Sequence, residues 1–147
     1  MNNIQKPKDS IFSFDDYKAL LRAVIKENDK GVASRLAEAA GCQRSFLSDV
    51  LRTGTHITPD HAFGISKCLE LNVRESRFFM NLVLLARASQ KAYRESLMKV
   101  IADERVEQTR LTKKIEQGEG IEAAGTRLSD AHLGQYYSSW LYCAVHI

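Results

Sequence analysis

Between Phe14 and Leu85 apolar residues recur at three- and four-residue steps, in short blocks bounded by residues that start or stop a helix. That punctuation leaves little room for any fold but a set of short packed helices. Phe14, Tyr17, Leu20, Leu21, Val24 and Ile25 make the first apolar face, with Ser13 and Asp16 placed to cap its start and Asn28 to Gly31 ending it. A second helix is predicted over about 32–40, closed by Gly41, a residue free to take positive φ. A third restarts within three residues and covers about 43–52, with Leu47, Val50 and Leu51 inward and Arg44, Ser45, Ser48 and Asp49 outward. Thr53-Gly54-Thr55-His56 reads as a loop. Thr58-Pro59-Asp60 then opens a fourth helix to about 71, because threonine caps free amides and proline at the first helical position loses nothing by lacking an N–H. Asn72 with Glu75 repeats the capping logic and opens a fifth helix bearing Phe78, Phe79, Leu82 and Leu85.

No alternating run long enough for a strand interrupts this pattern, so the expected fold class is all-α. The expected organisation is a flexible N-terminus at 1–13, a five-helix domain at 14–88, a long amphipathic helix at 89–116, a glycine-containing linker at 117–127, and the start of a truncated C-terminal domain at 128–147. Tyr136, Tyr137, Trp140 and Tyr142 mark that last segment. The polar opening carries no apolar run for a secretory signal, and no stretch reaches the roughly 20 apolar residues that span a bilayer. A cytoplasmic protein with no membrane partner is expected. Cys42, Cys68 and Cys143 are an odd, scattered set with no CxxC pair, which suits neither a disulfide framework nor a zinc site.

The formal net charge is +3, all of it contributed by residues 1–88. So small a surplus does not argue for nucleic acid; the pattern must. In SRLAEAAGCQRSFLSDVL two short helices meet through a three-residue turn at Gly41, an arrangement that holds one helix steeply across another, with Ala37 and Ala40 permitting close approach. Leu36, Ala37, Leu47 and Val50 would face inward, leaving short polar side chains and an arginine protruding at the start of the second helix.

Over roughly residues 14–72, Leu36-Ala37-x-x-Ala40-Gly41, Leu47-Ser48-x-x-Leu51, and Thr58 opening a helix with Ala62, Ile65 and Leu69 together resemble the Cro/repressor-type helix-turn-helix family. The longer arrangement, ending in YYSSW, is similar to uncharacterised bacterial regulators that join such a module to a C-terminal domain of unknown function. Three positions depart from the family pattern. Gln43 stands where Ser or Thr usually caps the recognition helix, Thr53 where glycine is common, and Asp49 where a basic or neutral residue is common.

The resemblance implies a sequence-specific transcriptional regulator that binds double-stranded DNA, expected as a homodimer because one module reads too few bases. Gln43, Arg44, Ser45 and Ser48 would approach base edges. Arginine suits guanine and glutamine suits adenine, and Arg44 is the strongest candidate. Lys30, Ser34, Arg52, Thr55 and His56 would lie nearer phosphate. The plain alternative for these residues is a solvated helix face, and for the 89–116 helix it is ordinary core packing rather than a dimer contact. A function from another class is also open: a helical adaptor that docks a partner protein and binds no DNA. His56 and His61 read as surface histidines, without a further ligand at metal spacing. Cys42 and Cys68 read as small apolar residues, and no paired carboxylates, phosphate loop or Cys-His arrangement supports an enzyme. No cofactor is expected. Any effector ligand is unknown.

Overall fold

The computed structural model describes residues 4–117, and every regular element among them is helical. A 3₁₀ turn at Ile11–Ser13 precedes α1 (Tyr17–Glu27), α2 (Val32–Ala40), α3 (Arg44–Arg52), α4 (Pro59–Cys68), α5 (Val73–Arg87) and α6 (Lys91–Glu116). The all-α expectation is met. Among the described residues no helix is long and apolar enough to cross a membrane. The aromatic segment 128–147 with its Cys143, and the linker from residue 118 onward, lie outside the described residues.

Local chemistry explains most helix boundaries. Thr58 Oγ1 accepts from the His61 N–H at 3.2 Å, and Asn72 Oδ1 accepts from the Glu75 N–H at 2.8 Å, so α4 and α5 each begin with free amides satisfied. The first helix departs from expectation. It starts at Tyr17 rather than near Phe14, and its cap is Asp16, whose Oδ1 accepts from the Lys18 N–H at 3.2 Å, not Ser13. Residues 11–13 turn separately because two apolar side chains there go into the core: Ile11 and Phe12 are buried, Phe12 with its ring centroid 5.0 Å from that of Phe78. Ile4 is buried too, and Asn28 exchanges hydrogen bonds with the Gln5 backbone at 3.0 and 3.1 Å. Residues 4–13 are therefore packed where a flexible N-terminus was expected.

At its far end α4 stops at Cys68, not near Leu71, because Glu70 turns into the left-handed region at φ 54°. This reversal buries Leu69 and frees Asn72 to cap α5.

Within the core α2 packs against both α3 and α4, while α1 packs against α3 and α5. Tyr17, Leu20, Leu21, Leu36, Phe78 and Phe79 are completely buried. One close approach joins α2 to α4: a Cβ placed on Gly64 would collide with the Ala39 carbonyl oxygen and lie 3.2 Å from Ala40 Cα. Hydrogen in place of a side chain at position 64 is what lets the two backbones meet.

The chain divides into two compact units between Ala102 and Asp103. The first extends past the expected edge at 88 and takes in the start of α6, through buried Leu97 and Ile101 and through Arg94, whose Nη1 donates to the Leu85 and Ala88 carbonyls at 2.9 and 3.1 Å. In the second unit α6 continues to Glu116, with Arg110 paired to Glu107 and Val106 and Ile115 exposed.

Candidate nucleic-acid interface

Two backbone hydrogen bonds shape the turn between α2 and α3. With Gly41 at φ 81°, its N–H donates to the Glu38 carbonyl at 3.1 Å and the Cys42 N–H donates to the Ala37 carbonyl at 2.9 Å. This double closure is the Schellman arrangement, which satisfies two end-of-helix carbonyls and redirects the chain sharply. Gln43 then takes the N-cap position of α3 without a side-chain cap bond, so the helix begins with its first amides open. The start of α2 is likewise without a side-chain cap, since Gly31 occupies that place at φ 92°.

Along α3 burial alternates as the sequence requires. Leu47 and Val50 are buried, whereas Gln43, Arg44, Ser45 and Ser48 are all exposed, together with Asp49 and Arg52. The structure thus leaves the four candidate base-reading side chains on the solvent side of one two-and-a-half-turn helix. Asp49 does not stand alone there. Its Oδ1 accepts from Arg52 Nη2 at 2.9 Å, with the two side chains 55% and 71% exposed, so the pair adds little stability but offsets charge locally.

The remaining candidates divide. Lys30 and Ser34 are exposed around the start of α2, and Thr55 is exposed with its Oγ1 3.1 Å from that of Thr53. His56 is turned inward. Its Nδ1 lies 2.9 Å from the Tyr17 hydroxyl, which also accepts from the Ile57 N–H at 3.3 Å. Burial pushes the Tyr17 phenol up to about 12, so it keeps its proton. His56 is held below its ordinary value, first by burial and then by the neighbouring positive charges of Lys18 and Arg87. A neutral imidazole with Nδ1 accepting from the phenol fits both effects. Both effects make His56 a weaker candidate for a phosphate contact.

His61 is not a plain surface histidine either. Its Nδ1 accepts from the Thr58 N–H at 3.2 Å, completing a capping box, and its ring sits 5.4 Å from that of Phe46 on α3. Cys42 and Cys68 are half-buried, and burial pushes both thiols up, at Cys68 against the opposing pull of Arg35. Thiols so protonated are poor nucleophiles. Among the described residues no group of three or more His, Cys, Asp or Glu is placed to hold a metal ion.

Several residues that build this face carry no signal in the local sequence. Lys18 Nζ donates to the Thr53 and Thr55 carbonyls at 2.7 and 2.9 Å, Arg22 Nη2 donates to the Leu51 carbonyl, and Arg87 Nη1 donates to the Ile57 carbonyl at 3.2 Å. Side chains from α1 and α5 therefore hold the backbone that leaves α3. Lys18 and Arg22 leave only the trace of a basic pair four residues apart beside the apolar stripe of α1, and Arg87 leaves none. The chain matches no protein-family model, and no curated protein or solved structure matches it.

Proposed function

We propose that the chain is a sequence-specific DNA-binding transcriptional regulator that reads the major groove through α3. The observation that supports this most is the exposure of Gln43, Arg44, Ser45 and Ser48 on a helix whose other side, Leu47 and Val50, is locked in the core. An α-helix fits the major groove, and arginine and glutamine at its start have the donor and acceptor geometry for guanine and adenine edges. The starts of α2 and α3 lack a side-chain cap, and although the Val32 N–H is taken by the Asp29 carbonyl at 3.2 Å, the following amides of α2, with exposed Lys30 and Ser34 beside them, and the first amides of α3 suit contact with phosphate oxygens. This takes up the resemblance to Cro/repressor-type proteins, and with it pairing into a homodimer on two half-sites.

Selection of bound duplexes from a random pool tests the proposal directly. Enrichment of one sequence is expected, with binding that weakens steeply as salt rises; a pool that returns unenriched at low salt would sink it. On the enriched duplex, Arg44→Ala should relax preference at one base position by about 1–3 kcal/mol while sparing binding to random DNA.

A second reading is favoured by the local charge. Asp49 offsets Arg52, and His56 is turned toward Tyr17 where burial disfavours its charged form, which suits a helical adaptor that docks a partner protein. Random-duplex binding at low ionic strength separates the two, since an adaptor has no need of the non-specific phosphate component.

A further inference from the structure

We propose, resting on the DNA-reading function above, that Lys18 is a positioning residue for α3: it sets the angle at which the base-reading side chains are presented while touching no DNA itself. Lys18 lies in the first turn of α1 and is only 8% exposed. Its ammonium group donates to the carbonyls of Thr53 and Thr55, just past the end of α3, and one turn along α1 Arg22 donates to the carbonyl of Leu51 within it. A helix ends with carbonyls that have no partner inside it, and its negative dipole end favours cations. Both conditions are met here from α1. The grip is on backbone, which moves with the helix axis, rather than on a side chain free to change rotamer.

Leverage makes this grip matter for reading bases. Arg44 and Arg52 are the first and last residues of α3, so at 1.5 Å per residue they stand about 12 Å apart along the axis. A tilt of about 10° pivoting on the held end carries Arg44 sideways by about 2 Å. Hydrogen bonds to a base edge work within a window of about half an ångström. Phosphate contacts made by long, flexible side chains tolerate such a shift far better. Loss of the clamp therefore damages discrimination before it damages binding.

The test compares the duplex enriched by wild type with a random duplex of equal length, at one salt concentration, for wild type, Lys18→Met, Lys18→Arg and Arg22→Met. Lys18→Met should keep random-duplex binding within about twofold and lose about tenfold in preference for the selected duplex. Lys18→Arg, which restores donors and charge, should regain most of it, and Arg22→Met should lose less in the same sense. Unchanged preference in Lys18→Met, or loss of both affinities in equal proportion, overturns the role. If circular dichroism shows Lys18→Met unfolded, Arg22→Met decides, and undiminished preference there overturns the role. A wild type that binds no duplex overturns the DNA reading, and this role with it, before any variant is made.

Discussion

The turns α2–α3 and α4–α5 have the same backbone design and opposite chemistry. In each, one left-handed residue is followed by one linker residue and then by an N-cap: Gly41-Cys42-Gln43 in the first, Glu70-Leu71-Asn72 in the second. The closing bonds correspond as well, with Glu70 donating to Lys67 and Leu71 to Ser66, both at 3.1 Å. Yet the first turn has glycine at the left-handed position and no side-chain cap afterwards, while the second has a strained glutamate there and a full capping box. Turn geometry alone therefore says nothing about DNA. What sets the two apart is the helix that follows: α5 buries Phe78, Phe79, Met80 and Val83, whereas the start of α3 stays open to solvent.

Breaking the contact between the helices that bear these turns should have the largest effect. Gly64→Ala puts a methyl group against the α2 backbone and should cost about 3 kcal/mol, read as a fall in the urea midpoint. A loss near zero would mean that α2 and α4 slide apart freely. Next come the left-handed positions, where opposite signs are expected. Gly41→Ala should destabilise by about 1–2 kcal/mol and Glu70→Gly should stabilise by about 1 kcal/mol in the same assay, since only glycine takes positive φ without steric cost. Equal signs would show that the two turns are not equivalent after all.

The caps provide the third contrast. Asn72→Ala should cost about 1 kcal/mol, and Gln43→Asn should add up to about 1 kcal/mol by supplying the missing cap at α3. If that added cap also weakens binding to random duplex, the open amides of α3 serve phosphate rather than stability. Acidification should give the smallest change, in the loop between the turns. His56 has its folded value lowered from 6.5, so the stability it contributes is present above 6.5 and is lost as pH falls from there through the folded value. A His56→Asn variant, which retains an acceptor for the Tyr17 hydroxyl, should show a shallower loss of thermal stability than wild type between about pH 7 and about pH 5. Parallel pH curves for the two proteins would remove His56 from the account.

Much of the helical layout could be read directly because its causes are local. Thr58 with Pro59, Asn72 with Glu75, and Gly41 act within four residues of themselves, and each marks its boundary where expected. The end of α4 is not legible in the sequence because Glu70 takes a conformation its side chain resists, held there by the burial of Leu69 and the capping of α5. The start of α1 is obscured for a similar reason. Ser13 and Asp16 look like a cap and its partner, but burial of Ile11 and Phe12 bends the chain first. In the candidate site, the outward set Gln43, Arg44, Ser45 and Ser48 was legible from periodicity. The Tyr17–His56 pair and the Lys18 clamp were not, with partners 35 to 39 residues apart and no shared motif.

Taken alone, the order of residues decided that this chain forms short helices, where most of them begin, and which side of each is apolar. Those properties follow from hydrogen bonds and side-chain spacing within a turn or two. Only the tertiary structure decided that α2 lies against α4 at Gly64, that the N-terminal segment is packed, and that α1 grips the end of α3. These are contacts between distant parts of the chain, selected by how whole helices fit together in a close-packed interior, and no local pattern encodes them.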